Sequence, residues 1–156
     1  MIEIERKFLL KGDFYPYVIK KVEIVQGYLC ASTNRSVRVR ITDDKACITI
    51  KGPSSKGGFS RAEFEYVIPR ADAVEIMNLC PSAIEKERYY VPNGKHMFEI
   101  DVFHGVHEGL IIVELELSSE DESFNRPDWL GEEVTGDERY YNSYLSTHPF
   151  IPSNHS

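Results

Sequence analysis

Near the start of the chain Glu3, Glu5 and Lys7 alternate with Ile2, Ile4, Arg6 and Phe8. Side chains alternate across a β-strand, so the two sets occupy opposite faces. The same two-residue spacing of ionised groups recurs in Arg38 and Arg40, in Arg61, Glu63 and Glu65, in Lys86 and Arg88, in Glu99 and Asp101, and in Glu114 and Glu116, with Lys51 as a single member. Arginine grips phosphate oxygens through a bidentate fork and lysine binds them as a point charge. Paired carboxylates with no His or Cys nearby suit a hard divalent cation such as Mg²⁺ or Mn²⁺. A site holding both clusters is made for a metal-bound polyphosphate.

Solvation alone does not call for doublets of one sign, which repel each other. The repulsion is relieved if opposite doublets from different strands face one another, or if a multivalent ion lies between them. Both solutions require all these faces to converge on one cavity. About eight strands closed into a barrel leave an interior wide enough for side chains or one small ligand. The pattern therefore predicts a barrel with its charges inside and its apolar faces outside, covered by helices. Unpaired buried charges would be heavily destabilising, so the cavity must be wet and filled with counter-charges.

The elements that position these residues read as a mainly β, α+β fold: one closed eight-stranded antiparallel barrel with short flanking helices. Strands are expected from residue 2, then over Val22–Cys30, Ser36–Thr42, Ala46–Lys51, Arg61–Ile68, Ala83–Val91, His96–Phe103 and Leu110–Ser118. Ala73, Ile76, Met77 and Cys80 recur at helical spacing, with Asp72 as N-cap and Pro81 as the stop. A short terminal helix is expected over Asp137–Leu145, giving a tunnel domain over 1–146 and a loose tail over 147–156. "KGPSSKGG" lacks the order of a P-loop and joins two strands, so it reads as a hairpin loop. His104 and His107 read as a surface loop and "SEDESF" as a solvated one. Tyr89, Tyr90, Trp129, Tyr140 and Tyr141 are expected to pack outside the barrel.

Composition narrows the function classes. The 156 residues suit one domain, and a net charge of -7 argues against nucleic-acid or anionic-membrane binding through the whole surface. Any polyanion must meet a concentrated local patch. Three cysteines with no CxxC pair point to a reducing compartment, and no apolar run approaches the ~18–20 residues of a membrane span, so a cytoplasmic location is expected. Oligomeric state leaves no signature.

With "EIERKF", "QGYL", "RVR", "TIKGP", "RAEFE", "EKERY", "FEIDVF", "VELEL" and "GEEVTGDERYYN" in this order, the chain closely resembles the CYTH, or triphosphate tunnel metalloenzyme, superfamily from residue 2 to about 146. It is most similar to the compact bacterial branch of inorganic triphosphatases. The resemblance implies a metal-dependent triphosphatase that cleaves the terminal phosphoanhydride of inorganic triphosphate. It implies metal ligation by Glu3, Glu5, Glu114 and Glu116, and phosphate binding by Lys7, Arg38, Arg40, Lys51, Arg61, Lys86 and Arg88. Glu63, Glu65, Glu99 and Asp101 would orient those bases or hold metal-linked water, and Arg139 would reach the tunnel mouth. Either a metal-activated water or Lys7, assisted by Tyr28, would supply the base. A class IV-type adenylyl cyclase, a thiamine or nucleoside triphosphatase, and a non-catalytic polyphosphate-binding module are the alternatives.

Overall fold

Alternation becomes register in a computed structural model, which describes residues 2–32, 34–43 and 45–150. The strands are β1 Ile2–Leu10, β2 Lys20–Ala31, β3 Ser36–Ile41, β4 Ala46–Ser54, β5 Ser60–Ile68, β6 Ala83–Asn93, β7 His96–Phe103, β8 Ile111–Glu116 and β9 Leu130–Glu133. Eight of them follow the order β5-β4-β3-β2-β6-β7-β8-β1, and β5 pairs back onto β1 to close the barrel. The closing seam is short, with Ile2, Glu3 and Ile4 opposite Ala62, Arg61 and Ser60. Beyond it β9, which has no β-branched run to announce it, pairs with β1 at Phe8 and Leu10. An ion pair from Arg6 Nε to Glu133 Oε2, at 2.8 Å, ties it there.

The charged faces turn inward, as the alternation requires, and the apolar faces turn outward. Their cover differs from expectation. Over β1, β6, β7 and β8 the lid is built of loops: Phe14 and Trp129 seal Phe8, Phe98, Ile100, Val113 and Leu115. Aromatic rings make this possible because each buries a large area from a short segment; Trp129 meets Phe98 edge-on at 5.2 Å. Helix α1, Arg70–Leu79, covers β2 to β4, with Ala73 fully buried against Val39 and Ala46. It begins two residues before Asp72 because Pro69 already turns the chain; Asp72 lies in the first turn, where a negative charge favours the helix dipole. On the outer wall of β4 and β5, Ile50, Phe64 and Tyr66 stay exposed.

The chain after β9 closes one end of the barrel. The expected single terminal helix is split into a 3₁₀ turn, Glu138–Tyr140, and a one-turn helix α2, Asn142–Leu145, because Tyr141 between them is extended. This lets Tyr141 stack over the Arg61 guanidinium, 5.1 Å from the ring centroid. Leu145 then packs with Tyr28, Ile84, Phe103, Leu110 and Ile112. His107 is not a surface residue: it is buried, with Nε2 at 2.6 Å from the Leu145 carbonyl and 3.0 Å from that of His148. Phe150 joins the same cluster, so the first tail residues are docked rather than loose, and 151–156 lie outside the described residues. "KGPSSKGG" forms the β4–β5 hairpin, and its Gly58 lies directly against Gly136 of the closing segment. Among the described residues no helix is long and apolar enough to cross a membrane.

Gly27 is where α1 touches the barrel wall most closely, since a Cβ there would stand 2.8 Å from Cys80 Sγ and 2.9 Å from Met77 Sδ. Gly27→Val is expected to push α1 outward and to lower stability by roughly 1–3 kcal/mol. Thermal unfolding checks this, and an unchanged melting temperature would contradict the packing described.

Candidate active site

The barrel encloses a cavity of about 220 Å³. β1 contributes Glu3, Glu5 and Lys7 to its lining; β3 gives Arg38 and Arg40; β4 gives Lys51; and β5 gives Arg61, Glu63 and Glu65. The wall is completed by Lys86 and Arg88 from β6, Glu99 from β7, Glu114 and Glu116 from β8, and Tyr28 from β2. Asp101 lies beneath the lining, fully buried. Arg139 does not arrive. Its exposed guanidinium folds back on Asp137 in the 3₁₀ turn, Nε donating at 3.0 Å and Nη2 at 2.6 Å.

Cross-strand register places most of the opposite charges face to face. Glu3 pairs with Arg61, Lys51 with Glu63, Lys7 with Glu114 and Arg88 with Asp101. Asp101 accepts from Lys86 Nζ at 2.7 Å and from Arg88 Nε at 2.7 Å and Nη2 at 2.9 Å. Arg88 Nη2 also reaches Glu114 Oε1 at 3.1 Å, and Glu114 Oε2 accepts from Lys7 Nζ at 2.7 Å. Burial alone would neutralise Asp101 and Glu114. The cations win: Arg88 and Lys86 keep Asp101 below the usual carboxylate range, and Lys7 and Arg88 hold Glu114 well below it.

Burial opposes the charge of Lys7 as well, but Glu114 and Glu5 outweigh it and hold the ammonium above its ordinary range. Lys7 thus stands in the cavity as a cation held by Glu114 and Glu5. Burial, partly offset by Asp101 and reinforced by Arg88 and Arg40, pushes Lys86 down to about 7. Tyr28 lies opposite Arg38 in the β2–β3 register, and among the described residues no hydrogen bond joins it to Lys7.

Some groups in the cavity lack a counter-charge. Arg40 is lowered to about 10 by burial and by Arg38 and Arg88. Among the described residues no carboxylate pairs with it. Arg38 carries a buried Nε with no hydrogen-bond partner among the described residues. Buried donors left unsatisfied are costly, and an anion between these guanidinia satisfies them. On the acidic side Glu5 and Glu116 face each other across β1 and β8. Burial and Glu114 raise Glu5; burial, with Glu3 and Glu5, raises Glu116.

The donor chemistry of these carboxylates fits a hard cation, which would relieve their repulsion. The ligand set is not preassembled: among the described residues no three acidic, His or Cys side chains are gathered into a group that could hold a metal ion. Glu3 is held by Lys51 at 2.9 Å and Glu114 by Lys7.

Gln26, Thr49, Thr135, Asn142 and Ser143 belong to the site or its supports and were not singled out by sequence, and Tyr141, expected to pack outside the barrel, lines the cavity instead because it stacks over Arg61. Gln26 and Thr49 could have been found, because strand alternation puts them on the inner face with Tyr28 and Lys51. The others follow β9 and carry no periodic signal.

A family model described as the CYTH domain matches residues 1–145. The chain belongs to the CYTH domain family. An inorganic triphosphatase of Acetivibrio thermocellus is 47% identical over 150 residues, covering 95% of each chain. One of Nitrosomonas europaea is 40% identical over 155 residues, covering 94% of this chain and 97% of its own. Among solved structures, the crystal structure of the inorganic triphosphatase NE1496 superposes with a TM-score of 0.63 at 32% identity, covering 97% of each chain. The barrel fold of this CYTH chain is thus shared along almost the whole sequence.

Glu99 is pushed up to about 7 by burial, against the pull of Arg88. In the unfolded chain it titrates near ~4.3, so between these values the folded state holds more protons and stability falls as pH rises. Glu5 and Glu116 act in the same direction; Lys86, depressed, acts oppositely above pH ~7. In EDTA the melting temperature should therefore drop between pH 5 and pH 7, and Glu99→Gln should remove roughly 1–2 kcal/mol of that slope. A flat or rising profile in the wild type would contradict the assignment.

Proposed function

We propose that this protein is a divalent-metal-dependent hydrolase acting on inorganic triphosphate. The observation that carries this reading is the cavity itself. Seven Lys and Arg side chains surround about 220 Å³, and among the described residues the buried Nε of Arg38 has no hydrogen-bond partner. That volume lies below the ~300–1,000 Å³ of pockets for drug-sized ligands, which favours a bare polyphosphate over a nucleotide or thiamine ester. The relatives named inorganic triphosphatase support the same substrate.

In this reading Arg38, Arg40, Lys51, Arg61 and Arg88 bind and orient the phosphate chain and neutralise charge on the group in transfer. Lys7 keeps its proton and serves as a fixed cation. Glu5 and Glu116, with Glu3 and Glu114, would hold Mg²⁺ or Mn²⁺, which would supply charge neutralisation and Lewis acidity. The water oxygen attacks the terminal phosphorus in line as the bond to the bridging oxygen breaks, giving orthophosphate and pyrophosphate. Lys86 is the base whose affinity for a proton matches neutral pH, and its Nζ takes the proton released by the water. Glu63, Glu65, Glu99 and Asp101 orient the cations.

The unit proposed for the activity is residues 1–146, working on a small-molecule triphosphate with no nucleic-acid or membrane partner. Its free cysteines, Cys30, Cys47 and Cys80, suit the cytoplasm.

Phosphate release should be assayed from tripolyphosphate, ATP, thiamine triphosphate and pyrophosphate, each with Mg²⁺, Mn²⁺ or EDTA. Tripolyphosphate should be cleaved far faster than the rest and only with metal, and kcat/KM should climb as pH rises through about 7. Glu3→Ala and Glu116→Ala should each lose roughly 10- to 100-fold or more. Faster cleavage of ATP would overturn the substrate; wild-type rates in either variant would overturn the metal assignment.

A further inference from the structure

Two of the cavity's cations are joined by neutral amides. Arg40 Nε donates to Gln26 Oε1 at 2.9 Å, Gln26 Nε2 donates to Asn142 Oδ1 at 2.8 Å, and Lys86 Nζ donates to the same Oδ1 at 2.9 Å. The direction of this chain is forced. Arginine and lysine are donors only, so each must meet an amide oxygen, and the Gln26 NH₂ is left to bridge the two amides. Gln26 is fully buried. The relay crosses from the barrel wall, β2, to α2, an element that otherwise contributes packing at the closed end.

A carboxylate would be the ordinary choice for holding a buried guanidinium, and this barrel uses one at nearly every other cation. Lys7 has Glu114, Lys51 has Glu3, Lys86 has Asp101, and Arg88 has Asp101 and Glu114. Among the described residues Arg40 has only Gln26. A neutral amide fixes the direction of the guanidinium without cancelling its charge, so the full positive charge stays available to an anion in the cavity. We propose that Gln26, steadied by Asn142, is a positioning residue that aims Arg40 at the substrate while leaving its charge uncompensated. The inference rests on the triphosphatase reading and names the device that tunes its phosphate affinity. It also gives α2 a role in binding. Asn142 lines the cavity, and among the described residues its Nδ2 has no partner.

Gln26→Glu separates this role from a structural one. The substitution keeps size and keeps an acceptor for Arg40 Nε, and the guanidinium holds the new carboxylate ionised. A merely structural hydrogen bond would be preserved or strengthened. If the charge must remain uncompensated, the variant melts at or above the wild-type temperature, yet its KM for tripolyphosphate rises at least roughly tenfold, with kcat changed far less. Gln26→Ala, which removes the relay without adding charge, should lower kcat and raise KM together. Direct titration of tripolyphosphate into each variant in EDTA provides a second readout independent of turnover. Wild-type KM and affinity in Gln26→Glu would overturn the inference while leaving the triphosphatase intact. A wild-type protein that neither binds nor cleaves tripolyphosphate would overturn the underlying function instead.

Discussion

The structure depends on one continuous run of buried charge. From Lys86 through Asp101, Arg88 and Glu114 to Lys7, every link is a hydrogen bond of 2.7 to 3.1 Å, and the run crosses β6, β7, β8 and β1. Such a network is weak evidence for stability, since each ion loses its water. Its strength lies in what it forbids. A slip of one residue in any of these strands would turn Phe98 and Ile100 into the tunnel and Glu99 and Asp101 into the apolar layer. The charges therefore act as a register lock, and the aromatic layer under Phe14 and Trp129 reads the same register from the other side.

That coupling explains why the barrel was legible in the sequence. Like-signed doublets at a two-residue spacing demand an inner face, and opposite doublets demand a shared one; Glu3 with Arg61 and Arg88 with Asp101 meet that demand directly. What escaped is whatever lacks periodicity. β9 is four residues, paired with β1 and tied by Glu133 to Arg6. The helix that "DERYYNSYL" suggests is broken by the stacking of Tyr141 on Arg61, and the same break leaves Arg139 outside, gripping Asp137. His107 reads as a loop residue because nothing nearby in sequence shows that Leu145 will lie over it. Covering loops, too, are tertiary events: Trp129 is far in sequence from the Phe98 it seals.

The ion pairs inside the tunnel also stand in for ligands. Glu114 is occupied by Lys7 and Arg88, and Glu3 by Lys51, so in the absence of ligand the cations and carboxylates neutralise one another. A metal polyphosphate brings both signs at once. In the proposed reading its phosphate oxygens take over the ammonium and guanidinium groups, and its cation takes over the carboxylates, so each released partner finds a new one. Either ligand alone would leave half of the network uncompensated. Binding of metal and of phosphate is then coupled by electrostatics, without any hinge or lid.

The two ends of the tunnel differ for the same physical reason. At one end Leu145, Ile84, Phe103 and Ile112 form an apolar plug that excludes water and confines the deep cations, and there burial brings Lys86 to about 7 and Arg40 to about 10. Toward Glu65 and Glu116 the side chains are more exposed and their charges better screened. In the proposed reading a polyanion enters from the wetter side and meets cations that are unequally paired. Arg88 already meets Glu99, Asp101 and Glu114, whereas Arg40 is held, among the described residues, by an amide, so an incoming phosphate oxygen is the strongest partner open to it.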